Sequence, residues 1–255
     1  MNAKRFFHPI LAGLFLAAST VHAQQVQQAA PIATEQRQAF EQLIREYLLS
    51  NPQVILEAQQ AQQARQEMER AERSRQALAS QRKMLLEDTD SPVSGNPRGD
   101  VTVVEFFDYA CGYCKRAAPA LEMVKAGDAN LRVVYKEFPI LGPGSLAAAR
   151  AALASRKQGK YEQLHRALMQ AENLDEAGIK AAASSVGLDL ARLEKDMHAP
   201  EIEQALQRNQ ELAAALEIRG TPAFVVGEQL VPGAVGADAL QNMVAGERQR
   251  VRQAR

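Results

Sequence analysis

The chain has 255 residues, with 30 basic and 30 acidic side chains, 46% apolar residues, no tryptophan and two cysteines. Its length suits one or two domains with a real core, and zero formal net charge excludes the strongly basic profile of a general nucleic-acid binder. Two cysteines exclude a disulfide-dense scaffold and a self-contained four-cysteine zinc site.

Residues 1–23 have the parts of a secretory signal: Lys4 and Arg5, an apolar run from Ile10 to Ala18, and Val21-His22-Ala23 as a cleavage site after Ala23. An apolar run of about nine residues is too short to span a bilayer as a helix. The expected location is therefore the periplasm, an oxidising compartment.

Between Gly13 and Gly95 there is no glycine, which fits long helices. Phe40, Leu43, Ile44, Tyr47 and Leu48 recur at helical spacing and form one apolar stripe. Asn51-Pro52 reads as a break and restart, with asparagine as N-cap and proline at the first helical position. A heptad frame through Ala61, Ala64, Met68, Ala71, Leu78 and Leu85 also places Arg75 and Arg82 on the seam, so the coiled-coil pattern is discontinuous. Residues 24–90 are expected to form a helical stalk whose first helix drives self-association into a homo-oligomer. The alternative is a helix folded back on its own catalytic domain.

Residues 91–99 are turn-rich and read as a linker, and 100–255 as the catalytic domain. Val101 to Phe107 forms a near-continuous apolar run suited to a strand buried on both faces. A helix follows from Lys115 to about Lys125, then a strand from Leu131 to Phe138. An alanine-rich helical insertion occupies about 144–218, interrupted near Gly159, Gly178, Gly187 and Pro200. Two short strands, Ala223–Val226 and Gln229–Val231, join at Gly227-Glu228 as a hairpin. A helix from about Ala237 closes an α/β domain. His165 and His198, in the helical block, are read as surface or helix-end residues.

Cys111-Gly112-Tyr113-Cys114 lies between a strand and a helix. The spacing sets the first sulfur at the open helix end, where free N–H groups and the helix dipole favour thiolate over thiol, and the second one turn in. A thiolate attacks disulfides, and the second cysteine resolves the mixed disulfide. A structural disulfide gains little from so small a loop. A zinc site needs further ligands from His165, His198 or carboxylates. Glu105, in the middle of the apolar strand, either reaches solvent at the strand end or is buried for a task, such as moving a proton to or from Cys114. At Gly220-Thr221-Pro222, a trans proline would simply mark a strand start, whereas a cis proline would hold a turn beside the cysteines.

Phe106-Phe107-Asp108-Tyr109-Ala110-Cys111-Gly112-Tyr113-Cys114, with Gly220-Thr221-Pro222 downstream and helices between, resembles the DsbA-like branch of the thioredoxin superfamily. The resemblance implies a thioredoxin fold with an inserted helical domain, Cys111 as nucleophile and Cys114 as buried resolving thiol. It further implies that Pro222 is cis, that Thr221 contacts substrate through its backbone, and that Glu105 is the family's buried acid. Ile44-Arg45-Glu46-Tyr47-Leu48-Leu49, Asn51-Pro52 and Phe138-Pro139-Ile140-Leu141-Gly142 are similar to the suppressor-of-copper-sensitivity C and Com1-like proteins. Gly112-Tyr113 replaces the Pro-His of the oxidases, and Thr221 replaces their valine.

The expected function is thus a thiol–disulfide isomerase or reductase acting on exported proteins that carry thiols or disulfides. Its redox group is the Cys111–Cys114 disulfide, with no other cofactor and no resident metal, and a membrane redox partner keeps it reduced. Two alternatives stand beside it: a disulfide-donating oxidase, and a non-catalytic copper protein binding Cu(I) through the two soft thiolates.

Overall fold

A computed structural model describes residues 33–253; the signal segment 1–23 lies outside them. The chain divides into two units, one ending at Gln60 and one beginning at Ala61.

In the first unit, helix α1 spans Thr34–Ser50 and α2 begins at Gln53. The break falls at Asn51-Pro52, but Asn51 caps the helix before it: its backbone N–H and its side-chain amide both donate to the Tyr47 carbonyl, at 2.8 and 3.0 Å. No α1 residue is buried, and Phe40, Leu43, Ile44 and Tyr47 are each more than half exposed.

In the second unit, α2 continues to Ser80 and a short α3 covers Arg82–Leu86. A five-stranded sheet follows, built from β1 (Val93–Gly95), β2 (Val101–Phe107), β3 (Leu131–Glu137), β4 (Ala223–Val226) and β5 (Gln229–Pro232). The strand order is β1-β3-β2-β4-β5. β2 and β3 pair in parallel, joined by α4 (Gly112–Gly127), and the other pairings are antiparallel. The helical insertion comprises α5 (Pro143–Ser155), a 3-10 turn (Arg156–Gln158), α6 (Tyr161–Gln170), α7 (Glu176–Ser185), α8 (Leu190–Met197) and α9 (Pro200–Ala215). It enters between β3 and β4, and α10 (Ala237–Gln253) follows the sheet. The whole is a thioredoxin-like fold of the DsbA type. Gly227 takes φ +60° at the hairpin, a conformation that favours glycine.

β2 is a near-continuous apolar run and β3 carries Leu131, Val133, Val134 and Tyr135, which suits strands inside the sheet with a core on each face. Val103 and Phe107 face one core with α4 and the helical block. Val104 and Phe106 face another with Leu212, Leu216, Leu78 and Leu85.

Two expectations change here. The segment read as a linker carries β1, antiparallel to β3 with Val93 opposite Val134. A short strand containing a neighbouring proline is stable at a sheet edge, where one side needs no ladder partner, so turn-rich composition concealed it. The end of the expected stalk also belongs to the domain. Leu78 and Leu85 are 3% exposed within its second core.

Candidate active site

β2 delivers the chain to the site. After Phe107, Asp108-Tyr109-Ala110 turn the backbone, and Cys111 becomes the N-cap of α4. The Cys114 N–H donates to Cys111 Sγ at 3.3 Å, and the Cys111 thiol donates to the Thr221 carbonyl, also at 3.3 Å. The Cys111 sulfur thus sees a backbone donor on one side and the loop before β4 on the other. Cys111 is 5% exposed and Cys114 is fully buried. Burial, and then the adjacent Cys111 sulfur, push the Cys114 thiol far above its ordinary range. The two thiols are therefore unequal: one lies at the helix mouth and one stays protonated inside.

The Thr221–Pro222 peptide is cis, and the Pro222 carbonyl accepts from Gly233 N–H at 2.8 Å. Gly112 starts α4, and Tyr113 is 62% exposed with the Arg116 guanidinium 4.3 Å from its ring centre. Glu105 lies two residues from both Val103 and Phe107 on β2, and so shares their face, which α4 covers. It is 1% exposed and its Oε1 has no hydrogen-bond partner. Burial, with a smaller push from Glu122, raises its pKa to about 8. Of the two readings left open for Glu105, the buried acid is the one found. Among the described residues, no group of three or more His, Cys, Asp or Glu side chains is placed to hold a metal ion.

Three polar groups near the cysteine loop are buried, which the sequence did not show. Asp108 is 1% exposed and fully used. Its Oδ1 accepts from Ala110 N–H (2.7 Å) and Ser145 Oγ (2.6 Å), and its Oδ2 from the N–H groups of Ile140 (2.8 Å) and Leu141 (3.0 Å). One carboxylate thereby ties the cysteine loop to the β3–α5 connection. Glu137 Oε1 accepts from Tyr109 (2.9 Å) and Tyr161 (2.8 Å), and burial holds its carboxyl well above the ordinary range despite those two donors. His165 is 3% exposed and not at the surface as expected. It sits among Phe107, Tyr109, Tyr135 and Tyr161, with Nδ1 3.1 Å from the Tyr109 hydroxyl. Burial, helped by Lys125, lowers its pKa to about 3. His198 is at the surface, 3.4 Å from Glu194.

Residues 102–245 match the DSBA-like thioredoxin domain, which covers more than half of the chain. The chain belongs to the DsbA-like thioredoxin family. Residues 36–69 also match the copper resistance protein ScsC N-terminal domain. Among solved structures, a thioredoxin-like oxidoreductase from Silicibacter pomeroyi is 50% identical, with a TM-score of 0.65 over 66% of this chain and 98% of that one. A linker-deletion variant of ScsC from Proteus mirabilis is 31% identical, with a TM-score of 0.66 over 88% of this chain and 100% of that one. A curated Na(+)/H(+) antiporter NhaA 1 from Mycobacterium sp. is 30% identical over 141 residues. The match covers 52% of this chain and 23% of the antiporter's length. Among the described residues, no helix is long and apolar enough to cross a membrane. DsbA-like proteins of this type form a thiol–disulfide exchange family, and the cysteine geometry described above is the chemistry such exchange requires.

Proposed function

We propose that the protein is a periplasmic thiol–disulfide isomerase or reductase for exported polypeptides. The observation that carries this reading is the asymmetric pair: Cys111 Sγ at the N-terminus of α4 beside the Thr221 carbonyl, and Cys114 buried and held protonated.

The Cys111 thiolate attacks one sulfur of a client disulfide. The client S–S bond breaks, a Cys111–client disulfide forms, and the second client sulfur leaves as thiolate. In isomerisation, another client thiolate attacks the mixed disulfide and releases Cys111 unchanged. In reduction, Cys114 loses its proton and attacks Cys111 Sγ. The client leaves with two electrons, and a Cys111–Cys114 disulfide remains for a membrane dithiol donor to reduce. Glu105, buried on the face that α4 covers and protonated at neutral pH, is suited to give a proton to Cys114 when the Cys111–Cys114 disulfide is reduced.

Gly112-Tyr113 between the cysteines and Thr221 before the proline support the reducing direction. So does the exposed stripe of α1, which is of a size that self-association would cover. Several active sites on one oligomer raise the local concentration of thiolate around a bound client. Sedimentation of the protein beginning at Gln24 tests the assembly: an oligomer that becomes a monomer with Ile44→Ser and Tyr47→Ser is expected, and a monomeric parent would refute it. The activity test is reduction of insulin and recovery of a scrambled-disulfide protein by wild type and Cys111→Ser. Wild-type activity lost in the variant is expected. An inert wild type that binds Cu(I) stoichiometrically would replace this reading with the copper one.

A further inference from the structure

The function of α2 beyond the first unit has no account in the chemistry above. Leu78 anchors the helix in the second core with Leu212 and Leu216. Towards the N-terminus, Ser74, Ala71 and Glu67 follow on the same face at helical spacing. That face lines a groove of about 930 Å³, on which Tyr113, Thr221 and Pro222 also border. Leu216, Ile218, Leu230 and Pro232 give the groove an apolar strip. Cys111 is not itself in the lining, but its Sγ donates to the carbonyl of Thr221, a residue on the groove's border, at 3.3 Å.

From this placement we infer that residues 67–77 of α2 form the second wall of the client site, and that the occupant is an extended client segment with apolar residues flanking its cysteine. The inference rests on the exchange reading. A client sulfur bonded to Cys111 must place its neighbours against Thr221 and Pro222, and these residues border the same groove as Ala71 and Ser74. The volume lies at the upper end of the roughly 300–1,000 Å³ of small-molecule pockets, and the boundary includes both charge signs, with Arg70, Arg73 and Arg219 against Glu67 and Glu217. A mixed-charge boundary around an apolar strip selects for apolar flanking residues over a client of one charge sign. Specificity is thus assigned to a helix that takes no part in bond making.

The test compares two oxidants of the reduced full-length protein: a ten-residue peptide with a single disulfide and leucines beside its cysteines, and glutathione disulfide. The readout is the ratio of their second-order rates. Ala71→Arg, which fills the groove, is expected to lower that ratio about five- to tenfold. Arg75→Gln, on the same helix but away from the groove, is expected to leave it unchanged. A ratio within twofold of wild type for Ala71→Arg overturns the inference. So does an altered sedimenting mass at an unchanged ratio, because a second copy of the chain would then be the occupant. A wild type inert to both oxidants defeats the exchange reading itself, a distinguishable failure.

Discussion

At the residue scale, the site depends on polar groups whose charge is set by burial. Glu105 has an ordinary value of 4.5 and a folded value of about 8. Between those values the folded state keeps a proton that the unfolded state has lost. Its contribution to stability is complete below about pH 4.5 and is lost as pH rises towards 8. Replacing it by glutamine removes that loss, a gain on the order of 3 kcal/mol at pH 7 relative to the behaviour at pH 4. Urea denaturation of wild type and Glu105→Gln across pH 4–8 measures it, and parallel curves would contradict the burial argument. His165 acts in the opposite sense. Its folded value of about 3 lies below the ordinary 6.5, so its contribution is present above pH 6.5 and is lost as pH falls towards 3. Neither burial was legible in the sequence. Glu105 was ambiguous because a lone acid in an apolar run fits a strand end equally well. His165 is buried by Tyr109, Tyr135 and Tyr161, of which the first two are 56 and 30 positions away from it, and no local period reports such contacts.

At the scale of elements, a buried cation ties α3 and the turn after it to the sheet, beside the packing of Leu85. Lys136 is fully buried on β3. Its ammonium donates to the Met84 carbonyl (2.7 Å), Asp88 Oδ2 (2.9 Å) and Ser91 Oγ (2.6 Å), which uses all three donors. Burial pulls the Lys136 ammonium below its usual value and pushes the Asp88 carboxyl up, but the ion pair outweighs burial at Asp88 and keeps it below the ordinary range. Removing one partner of a buried pair strands the other, so Lys136→Met is expected to cost about 3 kcal/mol. Hydrogen exchange is expected to accelerate first over 82–95, and uniform loss of protection across the sheet would contradict a local clasp. The sequence made β2, β3, α4 and the β4–β5 hairpin legible because each has a local signature: an apolar-rich run, a strand–helix junction or a turn glycine. It left β1 and the end of α2 unread, because what fixes them is a lysine 48 positions beyond Asp88 and a core assembled from α9 and β4.

At the scale of the whole molecule, the two cysteines are the only thiols in the chain, so the pair has no internal partner with which to exchange. In the proposed exchange its partners are the disulfides of other chains, and three features of the domain bear on their approach. The sheet fixes the cysteine loop through Asp108, the helical insertion buries the groups behind it, and the loop before β4 presents Thr221 at the sulfur. In the proposed exchange, Cys111 is the sulfur that meets a client and Cys114 the one that releases it. The most direct measurement is mass spectrometry of mixed disulfides formed with a scrambled-disulfide protein by Cys114→Ser and by Cys111→Ser. Cys114→Ser is predicted to accumulate the client on Cys111, while Cys111→Ser accumulates none. Equal trapping by both variants, or trapping on Cys114 alone, would contradict the account.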